Sequence, residues 1–164
     1  MTNSAAASAF GQWLQSISPK YQLDLTTVSR AGADAGFRSY HRIAAADGRS
    51  FIAMNAEGET PESFASFIKV DGLLRNEAGL NAPEIFEADT DHRFMLLSDL
   101  GRETYLDVLN EDNARELMDR ATTALVAWQK ISRPNVLPAY SREVLQRELE
   151  LFPTWYLSLI HISE

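Results

Sequence analysis

The chain has 164 residues, 45% hydrophobic and 23% charged, enough apolar material for one folded domain with a core and unlike a disordered or fibrous chain. A formal net charge of -8 repels phosphate backbones and disfavours nucleic acid as a general partner. With no cysteine there is neither a disulfide framework nor a thiolate metal site, and no basic leader or long apolar run marks a signal peptide or a membrane partner, so the cytoplasm is the expected place.

Phe10, Trp13, Leu14 and Ile17 recur at i, i+3, i+4 and i+7, an amphipathic helix that Pro19 is expected to stop. Three strands should follow. Tyr21 to Ser29 alternates through Leu23, Leu25 and Val28, Phe37 to Ala45 is the second, and Asp47-Gly48 makes a tight turn into Ser50 to Asn55. Pro61 opens a long helix carrying Phe64, Phe67, Ile68 and Leu74 on one side. Pro83 to Ala88 and Arg93 to Ser98 read as two more strands around a polar turn at Asp89-Thr90-Asp91-His92. Beyond Gly101 the pattern is helical: Leu117, Ala121, Ala124, Leu125 and Trp128 share one face, and Ser141 caps a last helix with Leu145, Leu149 and Phe152 on its inner side.

This order predicts an α+β fold: a five-stranded antiparallel sheet with one inserted helix, as in a protein-kinase-like N-lobe, then the first helices of an incomplete helical C-lobe. The expected parts are an N-terminal helix at 1–19, the lobe and its linker at 20–101, the C-lobe helices at 102–156, and a distinct tail at 157–164.

Two stretches suit a nucleotide. Gly32 to Phe37 joins the first two strands, and its glycines let backbone N–H groups approach phosphates closely; a plain hairpin loop is the alternative. At Ser98-Asp99-Leu100 a strand runs into a polar corner before Gly101, where backbone groups could read an adenine edge; a turn capped by Asp99 is the alternative. Kinase-type sites place a lysine on the third strand to pair the phosphates, but this strand reads Phe51-Ile52-Ala53-Met54-Asn55, with Met54 near the lysine's place. Arg38, Arg42, Lys69 and Arg75 are possible substitutes. His41, His92 and His161 are isolated and suggest no metal site, and Asp89-Thr90-Asp91 reads as a solvated turn.

Several stretches resemble the bacterial N-acetylmuramate/N-acetylglucosamine anomeric kinases of the aminoglycoside phosphotransferase and choline kinase-like superfamily. They are Asp34-Ala35-Gly36-Phe37-Arg38-Ser39-Tyr40, Phe67-Ile68-Lys69-Val70, the run from Leu96 to Leu109 (LLSDLGRETYLDVL), and Arg147 to Tyr156 (RELELFPTWY). The resemblance spans Trp13 to Tyr156, and it departs at Gly36, where the family usually has Ser. It implies ATP-dependent phosphorylation of a sugar's anomeric hydroxyl in cell-wall sugar recycling. The implied cofactor site is Gly32, Ala33, Asp34, Ala35, Gly36 and Phe37 over the phosphates, Ser98, Asp99 and Leu100 at the adenine, and Met54 on the third strand. The lysine-free third strand also looks like this family.

Such enzymes need a His-x-Asp-x-x-x-x-Asn loop and a later acidic Mg²⁺ ligand, and neither motif occurs here. No catalytic residue is therefore assigned, and the Mg²⁺ ligands are expected in a C-lobe beyond this chain. The final LSLIHISE translates the end of a transposase-type sequencing adapter and is expected to be read-through, with a natural edge strand as the alternative. Rival readings are another small-molecule phosphotransferase acting on an aminoglycoside, choline or homoserine, a non-catalytic nucleotide- or partner-binding module, and an interaction domain without a nucleotide site.

Overall fold

The computed structural model describes residues 8–32 and 36–157, without the side chains of 155–157. Ala33, Asp34 and Ala35 lie outside the described residues, as does the tail from 158, so the read-through and edge-strand expectations fall there. The chain divides into two units, Met1–Ile131 and Ser132–Glu164.

In the first unit, α1 (Ala9–Tyr21) starts at Ser8, whose side chain accepts from Gly11 N at 3.1 Å. The helix does not stop at Pro19, contrary to the sequence expectation. Pro19 lacks the N–H that would reach the Gln15 carbonyl, and Ser18 Oγ donates to that carbonyl instead at 3.1 Å. The extra turn seats Tyr21, whose hydroxyl donates to the Phe86 carbonyl at 3.0 Å. Gln22 then ends the helix in the left-handed region.

Strands β1 (Leu23–Arg30), β2 (Ser39–Ala45), β3 (Ser50–Asn55), β4 (Ile85–Asp89) and β5 (Phe94–Ser98) form one antiparallel sheet in the order β1-β2-β3-β5-β4. The Asp47-Gly48 turn forms as expected, with Gly48 at φ 88°. Between β3 and β4 lies α2 (Pro61–Gly72), capped by Thr60, whose hydroxyl accepts from Ser63 N at 3.2 Å, and continued by a wider turn over Leu73–Glu77. Pro61 suits the first turn because its missing N–H would have no helical partner there.

Strand alternation divides the core. Ile43, Phe51, Ala53, Phe94 and Leu96 face one way and pack with Phe10, Leu14 and Tyr21 of α1. Met54, Met95 and Leu97 face the other way and pack with Phe64 of α2, against partly buried Tyr40, Ile52 and Phe67. Each large side chain withdrawn from water in these layers contributes about 1.5–3 kcal/mol. The α2 side of the sheet is only partly filled, and the cavity described below opens there. Helices α3 (Tyr105–Val108) and α4 (Ala114–Lys130) complete this unit, and neither has a buried residue.

The second unit contains α5 (Arg142–Leu151), capped as expected by Ser141, whose hydroxyl accepts from Val144 N at 3.3 Å. Its expected inner face is not buried: Leu145, Leu149 and Phe152 are 46%, 66% and 58% exposed. Amphipathic spacing shows which side could pack, not how far it is buried.

Candidate functional site

A cavity of about 700 Å³ opens between the α2 side of the sheet, α2 itself and the segment after β5. Its volume falls in the range of small-molecule sites. Strand register explains its lining. Arg42 stands opposite Ile52, and Ile52 opposite Leu97, so all three share one face. Ile52 and Leu97 make an apolar floor, and Phe67, Val70 and Leu74 of α2 make a wall. Polar groups enter from Arg38, Tyr40, Arg42, Ser63 and Asp71.

The end of the cavity after β5 is fastened by one carboxylate. Asp99 accepts from Arg42 Nε at 2.6 Å, Arg42 Nη2 at 2.9 Å, Ser50 Oγ at 2.5 Å and Gly101 N at 3.0 Å. Arg42 Nη2 also donates to the Gly101 carbonyl at 2.7 Å, and Gly101 takes φ 101°, a conformation that favours glycine. The Arg42 guanidinium first, then the Ser50 and Gly101 donors, hold the Asp99 carboxyl far below the usual carboxylate range. The Asp99 side chain is thus committed within the protein. Leu100 gives its backbone N–H and carbonyl to no other described residue, and it is 54% exposed at the cavity rim.

Asp99→Asn should cost about 2–3 kcal/mol at pH 7, because the Asp99 side chain is only 6% exposed and Arg42 would lose its counter-charge. A depressed folded-state pKa adds stability above the unfolded value of about 3.9 and loses it as pH falls from there towards the folded value. The gap between wild type and Asp99→Asn should therefore be steady from pH 6 to 7 and shrink below about pH 4. Urea unfolding of both proteins across that range measures it, and a gap independent of pH would exclude the assignment.

Of the cations weighed as substitutes for a third-strand lysine, Arg38 and Arg42 line the cavity, whereas Lys69 and Arg75 do not. Arg75 lies 3.7 Å from Glu84, and Lys69 is exposed. Arg38 Nη2 donates to Glu59 Oε2 at 2.7 Å and lies 3.4 Å from Ser63 Oγ, and Ser63 Oγ donates to the same Glu59 oxygen at 2.7 Å. The guanidinium lies over the Phe67 ring, 5.1 Å from its centre. Glu59 is held below its usual pKa, chiefly by Arg38. Asp71, buried on α2, is pushed upward by burial, with Arg75 opposing.

Of the residues expected at a cofactor, Gly32, Ser98, Asp99 and Leu100 line the cavity. Phe37 is 79% exposed and packs near Gly58, and neither it nor Gly36 is among the lining residues. Met54 is fully buried under α2 with Phe64 and Met95, and Ile52, two residues earlier, is the β3 side chain that reaches the cavity. Among the described residues no three His, Asp or Glu side chains gather where a metal ion could sit. No described helix is long and apolar enough to cross a membrane.

Residues 27–163 match the phosphotransferase enzyme family known as APH. The chain belongs to that family. It is 42% identical, over 96% of its length, to an N-acetylmuramate/N-acetylglucosamine kinase of Pseudomonas aeruginosa, of which it covers 48%. It is 39% identical over 89% of its length to the protein of the same name from Neisseria meningitidis, covering 43% of it. With the Pseudomonas putida protein of that name it shares 40% identity over 80% of its length, covering 38%. The chain thus spans less than half the length of these curated relatives.

In this phosphotransferase-family chain, the polar half of the site is what sequence reading left unassigned. Tyr40 and Arg42 alternate on β2 and Arg38 stands just before it, but the cavity they line is recognisable only once β3 and α2 are set beside that strand.

Proposed function

We propose that this chain is the nucleotide-binding part of an ATP-dependent kinase that phosphorylates the anomeric hydroxyl of N-acetylmuramate or N-acetylglucosamine, in the cytoplasmic recycling of cell-wall sugars. The observation that carries this reading is the cavity itself. It has an apolar floor at Ile52 and Leu97 that suits a flat purine, a linker with uncommitted backbone groups at Leu100, and a cation at the opposite part of its lining. The family and the names of the relatives supply the substrate class.

The residues present fit a nucleotide. Ile52 and Leu97 would pack on one face of the adenine, the Ser98 to Leu100 backbone would meet its edge, and the loop that starts at Gly32 would lie over the phosphates. ATP supplies the transferred phosphoryl group. Mg²⁺ receives no ligand set from the described residues. The chain's own part is binding and orientation: the apolar walls exclude water from the base, and the Arg42–Asp99 clamp ties the linker after β5 to β2.

A ligand at a hundred times its Kd adds about 2.7 kcal/mol to the stability of the state it binds. Millimolar ATP should therefore raise the Tm of the 164-residue chain by roughly 5–10 °C. Adenosine should raise it less. No shift with either compound would remove the nucleotide reading.

A further inference from the structure

We infer that Arg38 is the cation that pairs with the nucleotide's phosphates, supplied from the start of β2 in place of a third-strand lysine, with Glu59 as its positioning partner. The inference rests on reading the cavity as the ATP site.

Strand geometry rules out β3 as the source. Its residues facing the α2 side are Ser50, Ile52 and Met54, all uncharged; Ser50 is bonded to Asp99, and Met54 is sealed beneath Phe64. Arg42 has its guanidinium occupied by Asp99 and the Gly101 carbonyl. Lys69 and Arg75 do not reach the lining. Arg38 remains, and it is not fully used: its Nε is buried and has no hydrogen-bond partner. Arg38 lines the cavity and only its Nη2 enters a described hydrogen bond, so other N–H groups of the guanidinium are left for an incoming acceptor. Phosphate oxygens are suitable acceptors, because the planar fork of arginine can present two N–H groups to one phosphate.

Position supports the same assignment. Arg38 immediately precedes β2 and follows the glycine-bearing loop, whereas Arg42 marks the linker end of the cavity. Four residues of extended strand separate them by about 13 Å. Adenosine with its phosphate chain spans a comparable length, so a base held at the linker would bring its phosphates to Arg38. Glu59 sits just before the α2 cap, and Ser63 in the first turn fixes it. The guanidinium is therefore braced by Glu59 just ahead of α2 and supported by the Phe67 ring. An arginine braced from two sides keeps its orientation before the ligand arrives, which lowers the cost of binding.

The test is calorimetric titration of the full 164-residue chain with ATP and with adenosine, comparing wild type, Arg38→Gln, Arg38→Lys and Glu59→Gln. Arg38→Gln should weaken ATP binding by roughly 10- to 100-fold and leave adenosine within about twofold. Arg38→Lys keeps a charge beside Glu59 without the planar fork and should lose part of the ATP affinity, about 3- to 10-fold. Glu59→Gln should weaken ATP but spare adenosine. ATP affinity unchanged in Arg38→Gln, or ATP and adenosine weakened alike, overturns the inference while the nucleotide site stands. Should Arg38→Gln fail to fold, unchanged ATP affinity in Arg38→Lys overturns it. A wild-type chain that binds neither ATP nor adenosine removes the cavity reading and the inference with it.

Discussion

Phe94→Ala should destabilise the sheet unit by about 3–5 kcal/mol, the cost of removing a phenylalanine from a packed core. Phe94 is fully buried on β5, between the neighbouring strand β3 and helix α1. Its ring centre lies 5.1 Å from that of Phe10 in an edge-on arrangement and 5.6 Å from that of Trp13. His92 stacks on it at 5.6 Å. Truncation would leave a void that three rings cannot close without moving α1, because α1 meets the sheet largely through Phe10, Leu14 and Tyr21. Ordinary domains have a net stability of about 5–15 kcal/mol, so the variant would sit near its unfolding threshold at 37 °C. Phe94→Leu keeps most of the volume and should cost less than about 1.5 kcal/mol. Urea midpoints of the three proteins decide the matter. A Phe94→Ala midpoint equivalent to less than about 0.5 kcal/mol of change would show that the α1 layer contributes little to stability.

The same packing shows why most of the fold was legible in the sequence. A short apolar run bounded by turn and polar residues is a local property, and in β3 Phe51 to Met54 lies between the Asp47-Gly48 turn and Asn55, so both bounds of that strand could be read directly. Pro61 and Ser141 mark helix starts because capping needs only neighbouring residues. Pro19 misled because the helix is held past it by a distant partner, the Phe86 carbonyl that accepts from Tyr21. Leu145, Leu149 and Phe152 have the spacing of an inward face, but spacing cannot name the surface that covers it.

The candidate site divides in a similar way. Ser98, Asp99 and Leu100 follow an apolar strand and precede a glycine, so the corner was visible in the sequence. The Arg42–Asp99 and Arg38–Glu59 pairs join residues 57 and 21 positions apart. Neither spacing has any meaning until β2 is placed in register with β3 and α2 is laid across the sheet. Met54 shows the limit of reading one strand alone. It occupies the lysine's approximate position and faces the α2 side, yet α2 covers it and Ile52 takes the exposed place.

The 164-residue chain should bind ATP without transferring its phosphoryl group. Phosphoryl transfer needs an acceptor for the proton of the attacking hydroxyl and a metal held at the phosphates. A positioned base is worth about 10²–10⁴ in rate by itself. None of the three histidines, His41, His92 and His161, is followed two residues later by aspartate, so the family's His-x-Asp loop has no counterpart in this sequence. The cavity lining includes no histidine, and its carboxylates are Asp71 and Asp99. Asp99 is taken up by Arg42, Ser50 and Gly101, so among the described residues no second acidic group of the lining is left to share a metal ion with Asp71. ADP formed from ATP, Mg²⁺ and N-acetylmuramate or N-acetylglucosamine should stay at the buffer background in a coupled assay, while ATP still raises the Tm. Sugar-dependent turnover would require a base supplied by the residues described here, and Asp71→Asn would then identify it. Background turnover alongside a clear ATP shift would separate the two tasks of a kinase physically: holding the nucleotide needs only the sheet, α2 and the linker, whereas moving the phosphate needs groups that this stretch of sequence does not carry.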